Sequence, residues 1–133
     1  MEMVGLLEAV TRWARDREDV VGLALVGSHA RGLARPDSDV DLAVLSKDPS
    51  SLINDQSWTA NFGNTREIKT EQYGPMWSVR VFYEHGPEVE FGLADPSWAQ
   101  VPLDPGTQRV ISDGIRILFD PAGVLRAAKD AAA

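Results

Sequence analysis

The sequence predicts an α/β (α+β) fold, a single domain with a mixed central sheet and helices packed on it, and three observations carry that prediction. An apolar run from Val20 to Val26 ends at Gly27-Ser28, as a buried strand does where it turns into a helix. Val40, Leu42 and Val44 alternate with Asp39 and Asp41, the period of a strand with one wet face. Three later alternating stretches are separated by Tyr73-Gly74-Pro75 and His85-Gly86-Pro87, which punctuate antiparallel hairpins. At 133 residues and 44% hydrophobic content, the chain can bury one proper core.

Taken in order, Met3 to Arg17 reads as a helix, because Leu6, Leu7, Val10, Trp13 and Ala14 fall on one stripe. Strand Val20 to Val26 follows, then a short helix from His29 to Leu33, then the strand that bears Asp39 and Asp41. Pro49 suits a helix start, so a helix is expected from Ser50 to about Ala60. Strands are expected at Thr65 to Gln72, Met76 to Glu84 and Glu88 to Ala94. A short helix near Thr107 to Ser112, a strand at Ile115 to Phe119 and a helix from Pro121 to Ala128 complete the domain, which spans residues 1–133. Repeats are absent, and the only biased stretch is the Ala-rich tail.

Composition narrows the function. No apolar run approaches the roughly 20 residues that span a bilayer, and the start MEMVGLLEAV lacks the basic end of a signal peptide. The chain contains no cysteine, which removes disulfides, thiolate zinc sites and cysteine catalysis together. These features fit a cytoplasmic protein without a membrane partner. With 13 basic and 20 acidic residues the formal charge is −7, which repels a polyanion, so long nucleic acid is disfavoured as a substrate. A nucleoside triphosphate that brings its own magnesium remains compatible, and an acidic surface suits a cationic acceptor.

The chemistry is concentrated between Leu23 and Leu45. Residues i and i+2 of a strand share a face, so Asp39 and Asp41 leave the sheet together, an expensive pairing unless a cation lies between them. A hard divalent ion takes carboxylate and phosphate oxygens, and this pair offers that arrangement. Upstream, Gly27 lets the backbone approach a ligand closely. Ser28 can cap the next helix and offer its hydroxyl, and the first N–H groups of that helix are open to phosphate.

This constellation resembles the nucleotidyltransferase superfamily typified by DNA polymerase β. It looks closest to the minimal nucleotidyltransferases, whose pattern reads G-S-x-A-R-G, a short linker with R-P, then S-D-x-D-L. Here the pattern runs from Gly27 to Leu42 nearly unbroken, through GSHARG, Arg35-Pro36 and DSDVDL. The resemblance implies Mg²⁺, or alternatively Mn²⁺, on Asp39 and Asp41, a nucleoside triphosphate, ATP in the first instance, and Gly27 and Ser28 as nucleotide-binding residues. It also implies a third carboxylate on a later strand, as metal ligand and base. Glu90 takes that place, since Val89, Phe91 and Leu93 occupy one face and leave Glu90 on the other beside Gly92, where a ligand has room. The family's usual residue there is Asp, and Glu is one methylene longer. The helical acceptor domain of larger members has no counterpart in this chain, so the acceptor site is open, built by a homodimer, or supplied by another protein.

Other residues have plainer roles. DSDVD places acids as a calcium loop does, but Leu42 stands where that loop needs glycine. His29 reads as a solvated or helix-end histidine, and Arg31 as a brace for the turn rather than a phosphate ligand. Arg66 and Arg80 either contact phosphate or pair across the hairpin. Of the four tryptophans, Trp77 alone invites a role in base stacking. Three readings follow. The first is a nucleotidyltransferase acting on a hydroxyl of a small molecule, such as an antibiotic, or of a protein. The second is an antitoxin-like protein that binds or nucleotidylates a HEPN-type partner, and the third is a nucleotide-binding domain without transfer.

Overall fold

Six strands, β1 (Val20–Val26), β2 (Val40–Ser46), β3 (Thr65–Tyr73), β4 (Met76–Tyr83), β5 (Glu88–Ala94) and β6 (Ile115–Phe119), form one sheet. Their order is β3-β4-β5-β2-β1-β6 in the computed structural model, which describes residues 3–35 and 38–133. Every neighbouring pair is antiparallel except β2 and β5, which run parallel at the centre. The sheet is therefore mixed, as expected, and its two central strands are those that carry the predicted acids. Pro36 and Asp37, in the linker of the sequence pattern, lie outside the described residues.

Alternation divides the sheet into two faces. On the first, Leu23, Leu25, Leu42, Val44, Val81, Val89 and Phe91 are fully buried beneath helix α1 (Met3–Asp16), which contributes Leu6, Leu7, Val10 and Ala14. Aromatic rings lock this side. Trp58 stacks on Trp13 with ring centres 5.0 Å apart and meets Phe91 edge-on at 4.9 Å, while Phe62 lies 5.8 Å from Phe91. On the second face Ala24, Leu45 and Ala94 pack against Ile111 of helix α4 (Pro105–Asp113) and against Leu125 and Ala128 of helix α5 (Val124–Ala132). Asp39, Asp41, Glu88 and Glu90 continue this second face toward the other end of β2 and β5.

Several helices depart from the sequence reading. The expected helix from Ser50 to Ala60 is two pieces, α3 (Pro49–Asn54) and a 3₁₀ turn (Ser57–Phe62). The Asp55 carboxylate accepts from Ser57 N–H at 3.1 Å, which offers the backbone a turn in place of the next helical bond. The short helix begins earlier than expected: α2 is Gly27–Arg31, and it ends because Gly32 adopts φ +74 and Leu33 N–H reaches Ser28 O at 3.0 Å. The last helix starts at Val124 rather than Pro121, with the Asp120 carboxylate accepting from the N–H groups of Leu125 and Arg126. The 3₁₀ turn at Pro96–Ala99 was not anticipated from sequence.

Candidate functional site

Parallel register brings the predicted acids together. Asp41 is the strand partner of Glu90, and Val40 of Val89, so Asp39, one residue before β2, falls beside Glu88. Arg80 on β4 is in turn the partner of Glu90. Four carboxylates and one guanidinium thus share the uncovered end of the second face.

Electrostatics there are strained. Burial, then repulsion from Glu90 and Asp39, pushes the Asp41 carboxyl up to about 6, against the opposing pull of Arg80 and His29. Burial also raises the Glu88 carboxyl, and its contact with Asp39 adds to the shift. Arg80 meets part of this charge: its Nη1 lies 3.2 Å from Glu88 Oε2 and 3.7 Å from Asp39 Oδ2, and its Nη2 donates to Glu90 Oε2.

The turn before α2 is built around Asp41. Gly27 has φ +73, and a Cβ there would fall on Asp41 Oδ2. The glycine therefore lets the chain pass close to the protein's own carboxylate, where the sequence had suggested close approach to a ligand. Ser28 does not cap α2, because Val26 occupies the cap position and Ser28 lies inside the first turn. His29 Nε2 is 3.4 Å from Ser38 O, which ties α2 to the segment leading into Asp39.

A cleft of about 290 Å³ opens beside Asp41 and Glu90, walled by Met76, Trp98, Val110 and Arg31. The room expected above Gly92 is partly filled, since a Cβ on Gly92 would stand 2.9 Å from the Met76 sulfur. Trp77 packs half-buried against the first-face core, whereas Trp98, unremarked in the sequence, lines the cleft. Arg31 has no ion-pair partner among the described residues, which leaves the bracing role without a visible acid. Arg66, on the edge strand β3, sits with its guanidinium 6.0 Å from the Phe82 ring centre.

Glu88 was also missed, although a signal existed, because the period-2 argument that pairs Asp39 with Asp41 equally pairs Glu88 with Glu90. No comparable signal marks Trp98, which reaches the site through long-range packing.

Hard oxygen donors on Asp39 and Asp41, crowded with other acids at one end of the sheet, are of the kind that suits a divalent ion. Among the described residues, however, no three histidine or carboxylate groups converge as a ready metal cage. Glu90 is turned to Arg80 instead.

A model of the nucleotidyltransferase domain matches residues 7–88, more than half of the sequence, and the chain belongs to that family. An aminoglycoside 6-adenyltransferase from Bacillus subtilis is similar in structure, with TM-score 0.55 and 16% identity over 71% of this chain and 36% of that one. The apo form of a CCA-adding enzyme is similar too, with TM-score 0.52 and 14% identity over 96% of this chain and 32% of that one. This chain thus spans about a third of the length of either protein. No curated protein matches it in sequence. Among the described residues no helix is long and apolar enough to cross a membrane.

Proposed function

We propose that this chain transfers a nucleoside monophosphate from a nucleoside triphosphate, ATP in the first instance, to a hydroxyl of a small cationic acceptor. The observation that carries the reading is the meeting of Asp39, Asp41 and Glu90 on one sheet face, against the glycine turn of a family member. The net charge of −7 supports a cationic acceptor, as does the fold shared with a protein named for aminoglycoside adenylylation.

Asp39 and Asp41 would hold Mg²⁺ or Mn²⁺, which when bound neutralises triphosphate charge and polarises the α-phosphate. Gly27, Ser28 and the open N–H groups of the first turn of their helix bind the β and γ end, and Arg31 lies at the cleft wall within the same neighbourhood. Met76, Trp98 and Val110 give the base and sugar an apolar wall. The acceptor oxygen attacks the α-phosphorus as the bond to the β-phosphate oxygen breaks, and pyrophosphate leaves. Glu90 takes the acceptor's proton, for which it must first leave Arg80.

Calorimetric titration with ATP, GTP, CTP and UTP, each with and without Mg²⁺, tests the reading. One nucleotide should bind in a metal-dependent way, and Asp39→Asn should weaken it at least about tenfold. Absence of binding to all four would overturn the proposal. The Arg80–Glu90 pair favours a second reading, a nucleotide-binding domain without transfer, and tight binding with no pyrophosphate release on an acceptor screen would select it.

A further inference from the structure

Arg80 is the one cation that touches the acidic cluster among the described ion pairs, and it does so three times over. Its fork reaches Glu88 and Asp39 through Nη1 and Glu90 through Nη2. The planar guanidinium presents its donors in one fixed fork, which suits carboxylates that approach from different directions. Two of the three, Asp39 and Glu90, belong to the set assigned to the divalent ion. Each directs an oxygen at the guanidinium rather than at a common point, which accounts for the lack of a ready metal cage among the described residues.

Resting on the reading that Asp39 and Asp41 hold the ion, the geometry points to Arg80 as a resident competitor of the metal, a counter-ion that must swing off Asp39 and Glu90 before the ion is fully ligated. Four carboxylates drawn together by parallel register repel one another, and Arg80 is the positive charge set among them whether or not substrate is present. Arg80 supplies it at the cost of weak affinity for metal alone. A divalent ion on Asp39 meets the like charge of the guanidinium 3.7 Å from Asp39 Oδ2, and Glu90, the other carboxylate it would take over, is already hydrogen-bonded to Arg80. Phosphate oxygens accept the same fork that Glu90 accepts, so an arriving triphosphate is the kind of anion that draws the guanidinium away. An arginine that merely ties β4 to β5 would have no such effect, because removing a cross-strand pair loosens the sheet without improving a neighbouring metal site.

The test is a Mn²⁺ titration of the full chain without nucleotide, followed by the paramagnetic resonance of free Mn²⁺, on the parent, Arg80→Met, Arg80→Gln and Asp41→Asn. Circular-dichroism melts establish that each variant is folded, and the glutamine variant keeps a polar partner for Glu90 should methionine fail to fold. Arg80→Met and Arg80→Gln should bind one Mn²⁺ at least about tenfold more tightly than the parent, and adding Asp41→Asn to either should abolish the gain. Folded Arg80 variants that bind no more tightly than the parent would overturn the role of Arg80, while loss of parent binding in Asp41→Asn would leave the metal reading intact. Absence of Mn²⁺ binding in every protein would overturn both.

Discussion

Asp41 bears the heaviest electrostatic load of any group at the site. Its carboxyl is pushed up to about 6, from an ordinary value of 3.8, by burial and by the neighbouring acids. Between those two pH values the folded chain binds more protons at this residue than the unfolded chain does. Stability therefore falls as pH rises through that window and stays lower above it. Asparagine keeps the shape and removes the penalty. Asp41→Asn should accordingly be more stable than the parent at pH 8, by on the order of 1 kcal/mol, with the gap closing toward pH 4. Urea melts at the two pH values measure this, and a gap that is the same at both would contradict the assignment of the penalty to ionised Asp41. Gly27 shows what was and was not legible at this scale. That a glycine ends β1 is plain in the sequence, but its partner is Asp41, and only the fold brings the two together.

Among the elements, β2 and β5 matter most to the site, and their faces were readable because apolar Val40 and Leu42, and Val89 and Phe91, alternate with the acids Asp39, Asp41, Glu88 and Glu90. Their parallel pairing was not readable, since the connection between them passes through α3, a 3₁₀ turn and the β3–β4 hairpin before returning. The cleft wall depends on α4, which is held at its start by Asp104. That carboxylate accepts from Gly106 N–H at 2.8 Å, from Thr107 N–H at 3.3 Å and from the Thr107 hydroxyl at 2.7 Å. Asp104→Ala should lower the melting temperature, as loss of a helix cap does, and should weaken nucleotide more than Mn²⁺, because Val110 and Trp98 line the cleft whereas the acids sit on the sheet. Equal weakening of both ligands would place the wall outside the nucleotide site.

At the scale of the whole molecule the sheet separates stability from chemistry. One face, closed by α1 and the Trp13–Trp58–Phe91 rings, carries most of the large buried side chains, while the other pairs small residues under α4 and α5 with the acidic cluster. Trp58→Ala should therefore cost about 3–5 kcal/mol in urea melts, through a large cavity on the first face. The chain that remains folded at low temperature should bind Mn²⁺ much as the parent does, since the acids project from the opposite face. A large loss of Mn²⁺ affinity would show instead that the aromatic stack sets the position of β5 finely enough to govern the site.

The sequence by itself determined the strands, the glycine turn and the acids, because period and side-chain chemistry are properties of residues close along the chain. It also carried the family, through a local pattern between Gly27 and Leu42. Tertiary structure alone decided that Asp41 stands beside Glu90, that Arg80 spans three carboxylates, that Trp98 rather than Trp77 lines the cleft, and that a helix expected from Ser50 breaks in two. Each of these except the broken helix depends on which strands lie side by side and which residues meet across long connections, and that choice is made by burial of the whole sheet rather than by any local preference. The broken helix is the local exception, where Asp55 and Ser57 outcompete helical hydrogen bonds that the apolar pattern alone would have favoured.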